Sequence, residues 1–176
     1  MEDFVHFGSA EYVALLGLLL SMRGADFLST WVATPRLVLE GNPLAKRLGW
    51  KWGTLVNLAV CVIFAAWPLS ALVIATTSAL VASRNFQVAW LMRTLGEEQY
   101  REWYIQRLRE TPLPLYLFCL LGQTLLVAAV GAALMLFYDG QGQWVPFAVG
   151  LGIVAYAIAV VFYTSLVLWR IRRSGG

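Results

Sequence analysis

An arginine and an aspartate three residues apart, Arg23 and Asp26, stand inside an apolar run that also carries Ser29 and Thr30. Later apolar stretches hold Asn57, then Arg84, Asn85 and Gln87. Ionisable groups are costly in hydrocarbon and by default mark a functional site. Carboxylate and amide oxygens are hard ligands for Mg²⁺, Ca²⁺ or Na⁺, whereas two arginines in a partly desolvated place suit phosphate or carboxylate. With Glu40 and Asn42 from the polar segment after the first run, Asp26, Glu40 and Asn42 form a candidate metal set. Arg23, Asp26, Thr30, Asn57, Arg84 and Asn85 form a candidate ligand-binding set. A structural reading competes. In it Asp26 pairs with Arg23 or Arg84, Arg84 snorkels to the interface, Asn57 and Asn85 bond to neighbouring helices, and Glu40 and Asn42 cap a loop.

The elements that must position these groups are set by composition. Of 176 residues 60% are hydrophobic and 13% charged, with a mean hydropathy of +0.69, too few polar groups to clothe a water-soluble globule. The net charge of +3 is spread between apolar runs rather than gathered in a stripe, so nucleic acid is not an expected partner and membrane lipid is. The sole histidine, His6, leaves no pair for haem and no Ser-His-Asp arrangement. Cys61 and Cys119 lie in apolar stretches without metal-site spacing and read as free thiols. Met1-Glu2-Asp3 is acidic where a signal peptide is basic, so no cleaved leader is expected. No cofactor is named by any motif.

The spacing predicts an all-α, polytopic membrane bundle of one domain, 1–176, with five transmembrane helices at about 11–33, 52–67, 69–92, 113–137 and 144–170. Residues 54–92 as one straight helix would be about 58 Å long, twice what a bilayer holds, so the chain must turn back at Trp67-Pro68. Gly49 reads as the stop of a short helical turn that begins at Asn42-Pro43. Residues of about 96–110 read as a helix on the cytoplasmic surface, with a Glu97–Arg101 i,i+4 pair. On this plan Arg36, Lys46, Arg47, Lys51, Arg93, Arg101, Arg107, Arg109, Arg170, Arg172 and Arg173 share one side, and only Arg23 and Arg84 lie within spans. Basic loops face the cytoplasm, so the chain is expected in the cytoplasmic membrane with its N-terminus outside and its C-terminus inside. Trp67 and Trp144 fall at the outer interface and the other six tryptophans at the inner one. Asp26 and Arg84 then lie in the cytoplasmic half, where a cavity open to the cytoplasm is expected. Alanines four apart in the last two spans (Ala128 with Ala132, Ala129 with Ala133, Ala155 with Ala159) read as helix contacts.

Asp26 with Thr30, the Glu40-Gly41-Asn42-Pro43 turn and the late Asn85 resemble a small prokaryotic membrane family of unknown function over roughly residues 15–92. That family is marked by Asp and Thr in its first helix, a Glu-x-Asn-Pro turn and an Asn in its third. The resemblance implies one shared site and brings no reaction. Gly96 to Trp103 with Pro112 also resemble the C-terminal segment of isoprenylcysteine methyltransferase-like enzymes, but two further spans follow and the Arg-His-Pro pattern is missing. Three functions are therefore open: a carrier or binder of an ion or an anionic, amphiphilic ligand; a non-catalytic subunit of a larger complex or homo-oligomer; and an enzyme acting on a lipid phosphate through a metal at Asp26 and Glu40.

Overall fold

Helix boundaries fall where backbone chemistry puts them. A computed structural model describes residues 4–40, 43–137 and 144–173. All regular structure among these is helical: α1 Ala10–Ala33, α2 Pro43–Phe64, α3 Pro68–Leu95, α4 Glu97–Glu110, α5 Leu113–Leu136 and α6 Trp144–Arg173. The Ser9 hydroxyl caps α1 by accepting the Tyr12 amide at 3.2 Å. Pro68 stands in the first turn of α3, where the missing amide costs nothing. Gly96, at φ 81°, stops α3 and turns the chain into α4, a conformation that side chains with a Cβ rarely adopt.

Four helices, α1, α3, α5 and α6, have the length and apolarity to cross a membrane, as a multi-pass membrane protein requires. The expected second span differs. Gly49 (φ 63°) breaks α2 as its sequence position predicts, and the helix then ends at Phe64 rather than residue 67. Residues 50–64 cover only about 21 Å, because Ala65 to Trp67 form the turn needed to bring Pro68 round. This segment is nonetheless tied to the chain just beyond both ends of α1. Trp50 Nε1 donates to the Pro35 carbonyl at 2.8 Å beyond one end of α1, and the Val5 amide donates to Ala66 O at 3.0 Å beyond the other.

Helix α3 is central. Its buried Ala71, Ala75, Ser78, Ala82 and Ala89, spaced three, four or seven apart, form a narrow stripe that lets α1 pack closely along it. Leu19 of α1 is 0% exposed in the core that also includes Tyr12, Cys61 and Ala75. On another side α3 packs on α6, and α6 on α5; α3 and α5 do not pack directly on each other. The crossings use glycines: a Cβ on Gly150 would lie 2.5 Å from Gly131 O, and one on Gly152 would lie 2.8 Å from Thr76 Cβ. The alanine pairs expected at these contacts are not where the backbones come closest, and Ala129 is exposed.

Candidate functional site

Arg23, Asp26, Thr30 and Thr34 recur at three- and four-residue spacing, which places them on one face of α1 as a polar file. The facing stripe of α3 answers with Ser78 and Asn85, two polar members among its alanines. At the innermost level three helices meet on one guanidinium. Arg23 Nη1 donates to Asp26 Oδ2 at 3.1 Å and to Ser78 Oγ at 3.3 Å, and Nη2 donates to Asn57 Oδ1 of α2. Asn57 is itself oriented by donating Nδ2 to Gly53 O at 2.8 Å. The Arg23–Asp26 pair is largely buried, at 27% and 17% exposure, and Arg23 Nε is buried without a hydrogen-bond acceptor among the described residues.

The next level is neutral. Asn85 Nδ2 donates to Ser29 Oγ and Thr30 Oγ1, both at 3.2 Å, and the Ser29 hydroxyl donates to the Asp26 carbonyl at 2.8 Å. Glu40, in the loop after α1, lies near enough for its charge to act on Asp26.

The file ends on Glu97, 6% exposed at the start of α4. Its carboxylate accepts the Thr34 hydroxyl, the Arg36 amide at 3.0 Å and the Val38 amide at 3.1 Å, with Arg36 Nε at 3.5 Å. Between the two amides Leu37 adopts φ 55°, a left-handed conformation that turns successive N–H groups toward one anion. Burial pushes this carboxyl up, but the Thr34 hydroxyl, the two amides and the Arg36 guanidinium outweigh it and hold Glu97 below its ordinary value of 4.5. Sequence spacing assigned Glu97 to Arg101. The structure corrects this, since a partner 63 residues away leaves no local pattern.

The candidate residues therefore divide. Arg23, Asp26 and Asn57 come together, Thr30 and Asn85 bond one another below them, and Glu40 approaches from the loop. Arg84 stands apart. One residue before Asn85 it is turned about 100° around α3, on the side where Leu80 and Val81 pack toward α5, and its charge acts on Tyr116. Asn42 and Gly41 lie outside the described residues, as does the 138–143 turn. Ser78, Thr34 and Glu97 complete the network and were not singled out from the sequence for it. Ser78 was legible only through the heptad-like spacing of small residues in α3. No group of three or more His, Cys, Asp or Glu side chains suited to a metal occurs among the described residues, so the metal set has Asp26 and Glu40 as its described carboxylates.

Comparison with known proteins returned no match among family models, curated sequences or solved structures.

Proposed function

We propose that this is a five-pass protein of the cytoplasmic membrane, N-terminus outside and C-terminus inside, that binds a small hard cation at Asp26, entered from the cytoplasmic end past Glu40. One observation carries the reading: Arg23, the cation beside Asp26, is shared among Asp26, Ser78 and Asn57. A guanidinium divided among three acceptors leaves the Asp26 carboxylate room for a further positive charge. The Asp26 carboxylate is the kind of oxygen ligand that hard cations take, with the Ser29 and Thr30 hydroxyls beside it engaged by Asn85 Nδ2. The same sharing makes Arg23 a poor anion receptor. The family resemblance fits this site, since its Asp, Thr and Asn correspond to Asp26, Thr30 and Asn85.

The five-pass topology is supported by α2, which runs back between the two ends of α1 and has Trp50 and Trp67 at its ends. It gathers every Lys and Arg outside the spans on one side. An accessory-subunit role is the second reading. It is favoured by the exposed apolar face of α2, with Trp52, Leu55, Val56, Leu58, Val62 and Ile63 uncovered by the rest of the chain.

The test is the melting temperature of detergent-solubilised protein in NaCl, KCl or MgCl₂ against choline chloride at equal ionic strength, for the wild type and Asp26→Asn. One inorganic cation is expected to stabilise the wild type by about 1.4 kcal/mol at ten times its Kd, and Asp26→Asn to lose that response. A folded Asp26→Asn variant responding like the wild type would rule out the cation site. A partner retained through purification, seen by native mass spectrometry, would favour the accessory role.

A further inference from the structure

Helices α5 and α6 meet backbone to backbone at Gly131 and Gly150, and away from that crossing side chains hold them apart, Leu120 against Tyr156 and Val160. Tyr156 and Val160 pack with Leu80 and Val81 of α3. At about 100° per residue, Ile158, Val161 and Ser165 then fall on the opposite side of α6. There an open groove of about 680 Å³ lies between α5 and α6.

Its floor is made of small or buried side chains and its walls of large exposed ones. Ala157 and Thr124 are buried, whereas Leu125, Ile158 and Phe162 are exposed beside them. Thr124 spends its hydroxyl on the Leu120 and Leu121 carbonyls of its own helix, at 2.8 and 3.2 Å, which leaves the floor apolar. The lining begins at Ala128, one turn from the Gly131 crossing, and along α6 it runs from Ala157 to Trp169, about 18 Å. That is close to half of a hydrocarbon core of about 30 Å, the depth of one leaflet.

The far end is basic. Trp169 closes the lining, and Arg173 Cζ sits 5.1 Å from the centroid of its ring. Arg173 is exposed and forms no ion pair among the described residues, whereas its neighbour Arg172 donates to the Thr111 carbonyl at 3.2 Å. The groove therefore offers an apolar trough one leaflet deep with an unneutralised guanidinium at its mouth, and guanidinium geometry matches phosphate oxygens. A partner helix would follow both leaflets, but the backbone contact at Gly131 and Gly150 ends the groove after one.

We propose that the α5–α6 groove binds one anionic phospholipid, an acyl chain lying on Ala128 and Ala157 and its phosphate paired with Arg173 beside Trp169. The groove shares no residue with the Arg23–Asp26 network and does not depend on a cation binding there. The occupant is a lipid rather than a free phosphate because the guanidinium adjoins an apolar trough.

Native mass spectrometry of the detergent-solubilised full chain, titrated with phosphatidylglycerol or phosphatidylcholine of matched chains, tests head and chain separately. The wild type is expected to bind one phosphatidylglycerol about fivefold tighter than phosphatidylcholine, the effect of one arginine at an anionic surface. In Arg173→Gln that preference should disappear while phosphatidylcholine binding stays unchanged. Ser165 is exposed, lines the groove and makes no side-chain hydrogen bond among the described residues, so Ser165→Phe fills the trough without opening the bundle. It should weaken both lipids about threefold or more, because the chain loses its packing contacts. Arg93→Gln removes a similar stacked arginine, the one over Trp31 between α1 and α3, and should change neither lipid. Equal affinities of the two lipids for the wild type, an unchanged preference in Arg173→Gln, unchanged affinities in Ser165→Phe, or equal loss in Arg93→Gln would overturn the proposal. So would displacement of the lipid by millimolar inorganic phosphate, or a dimer of the chain that Ser165→Phe dissolves.

Discussion

Two carboxylates beside arginines are treated in opposite ways. Asp26 receives only Arg23 among the described side chains, and the Ser29 hydroxyl next to it turns to the Asp26 carbonyl instead. Glu97 receives a hydroxyl and two amides and is sealed from solvent. Because its folded value is depressed, its contribution to stability is fully present above pH 4.5 and is lost as pH falls through the folded value. The wild type should therefore lose stability in that acidic window, and Glu97→Gln should lower stability at neutral pH by about 1.5–3 kcal/mol while flattening the acid dependence. Unfolding of the detergent-solubilised protein at several pH values, with tryptic cleavage at Arg36 and Lys46 as a local reading, checks both effects. The Arg23–Asp26 contact was legible in the sequence because three residues on a helix is one face. The Glu97 site was not, because backbone amides are its main partners and residue identity does not announce them.

At the scale of elements, small residues decide which helices approach. The α5–α6 crossing has backbone oxygens where side chains would need to go, so Gly131→Ala should cost about 1–3 kcal/mol and lower the melting temperature. Gly122→Ala, in the same helix with nothing within 4 Å of the added carbon, should be neutral or stabilising by up to about 1 kcal/mol. Equal effects of the two would mean that the crossing is looser than described. The alanine pairs named from sequence were reasonable candidates by spacing, yet several other small residues in these helices share that spacing. Only the crossing point selects Gly131 and Gly150. In α3 the alanine stripe has the same kind of spacing but was not read, and of the polar residues interrupting it only Asn85 drew attention, as chemistry rather than as packing. Helix ends fared better at Gly49 and Pro68, which act through local geometry.

For the whole molecule, a helical membrane bundle follows from composition, while the number of crossings rests on α2, the one expected span that came out short. If α2 crosses, the segments around Lys46 and Arg109 share a side; if it does not, they lie opposite. Alkaline phosphatase fused after either residue should be inactive and green fluorescent protein fused after either should fluoresce, with phosphatase activity recovered for fusions in the 138–143 turn. Opposite behaviour at 46 and 109 would rule out five passes. The Glu97 clamp also bears on how the chain is made. Thr34 must wait for a partner 63 residues further along, which at about 5–20 residues per second is several seconds of synthesis. During that interval the first hairpin has left the ribosome with its connecting loop unfastened, and the arrival of α4 is the event that locks it.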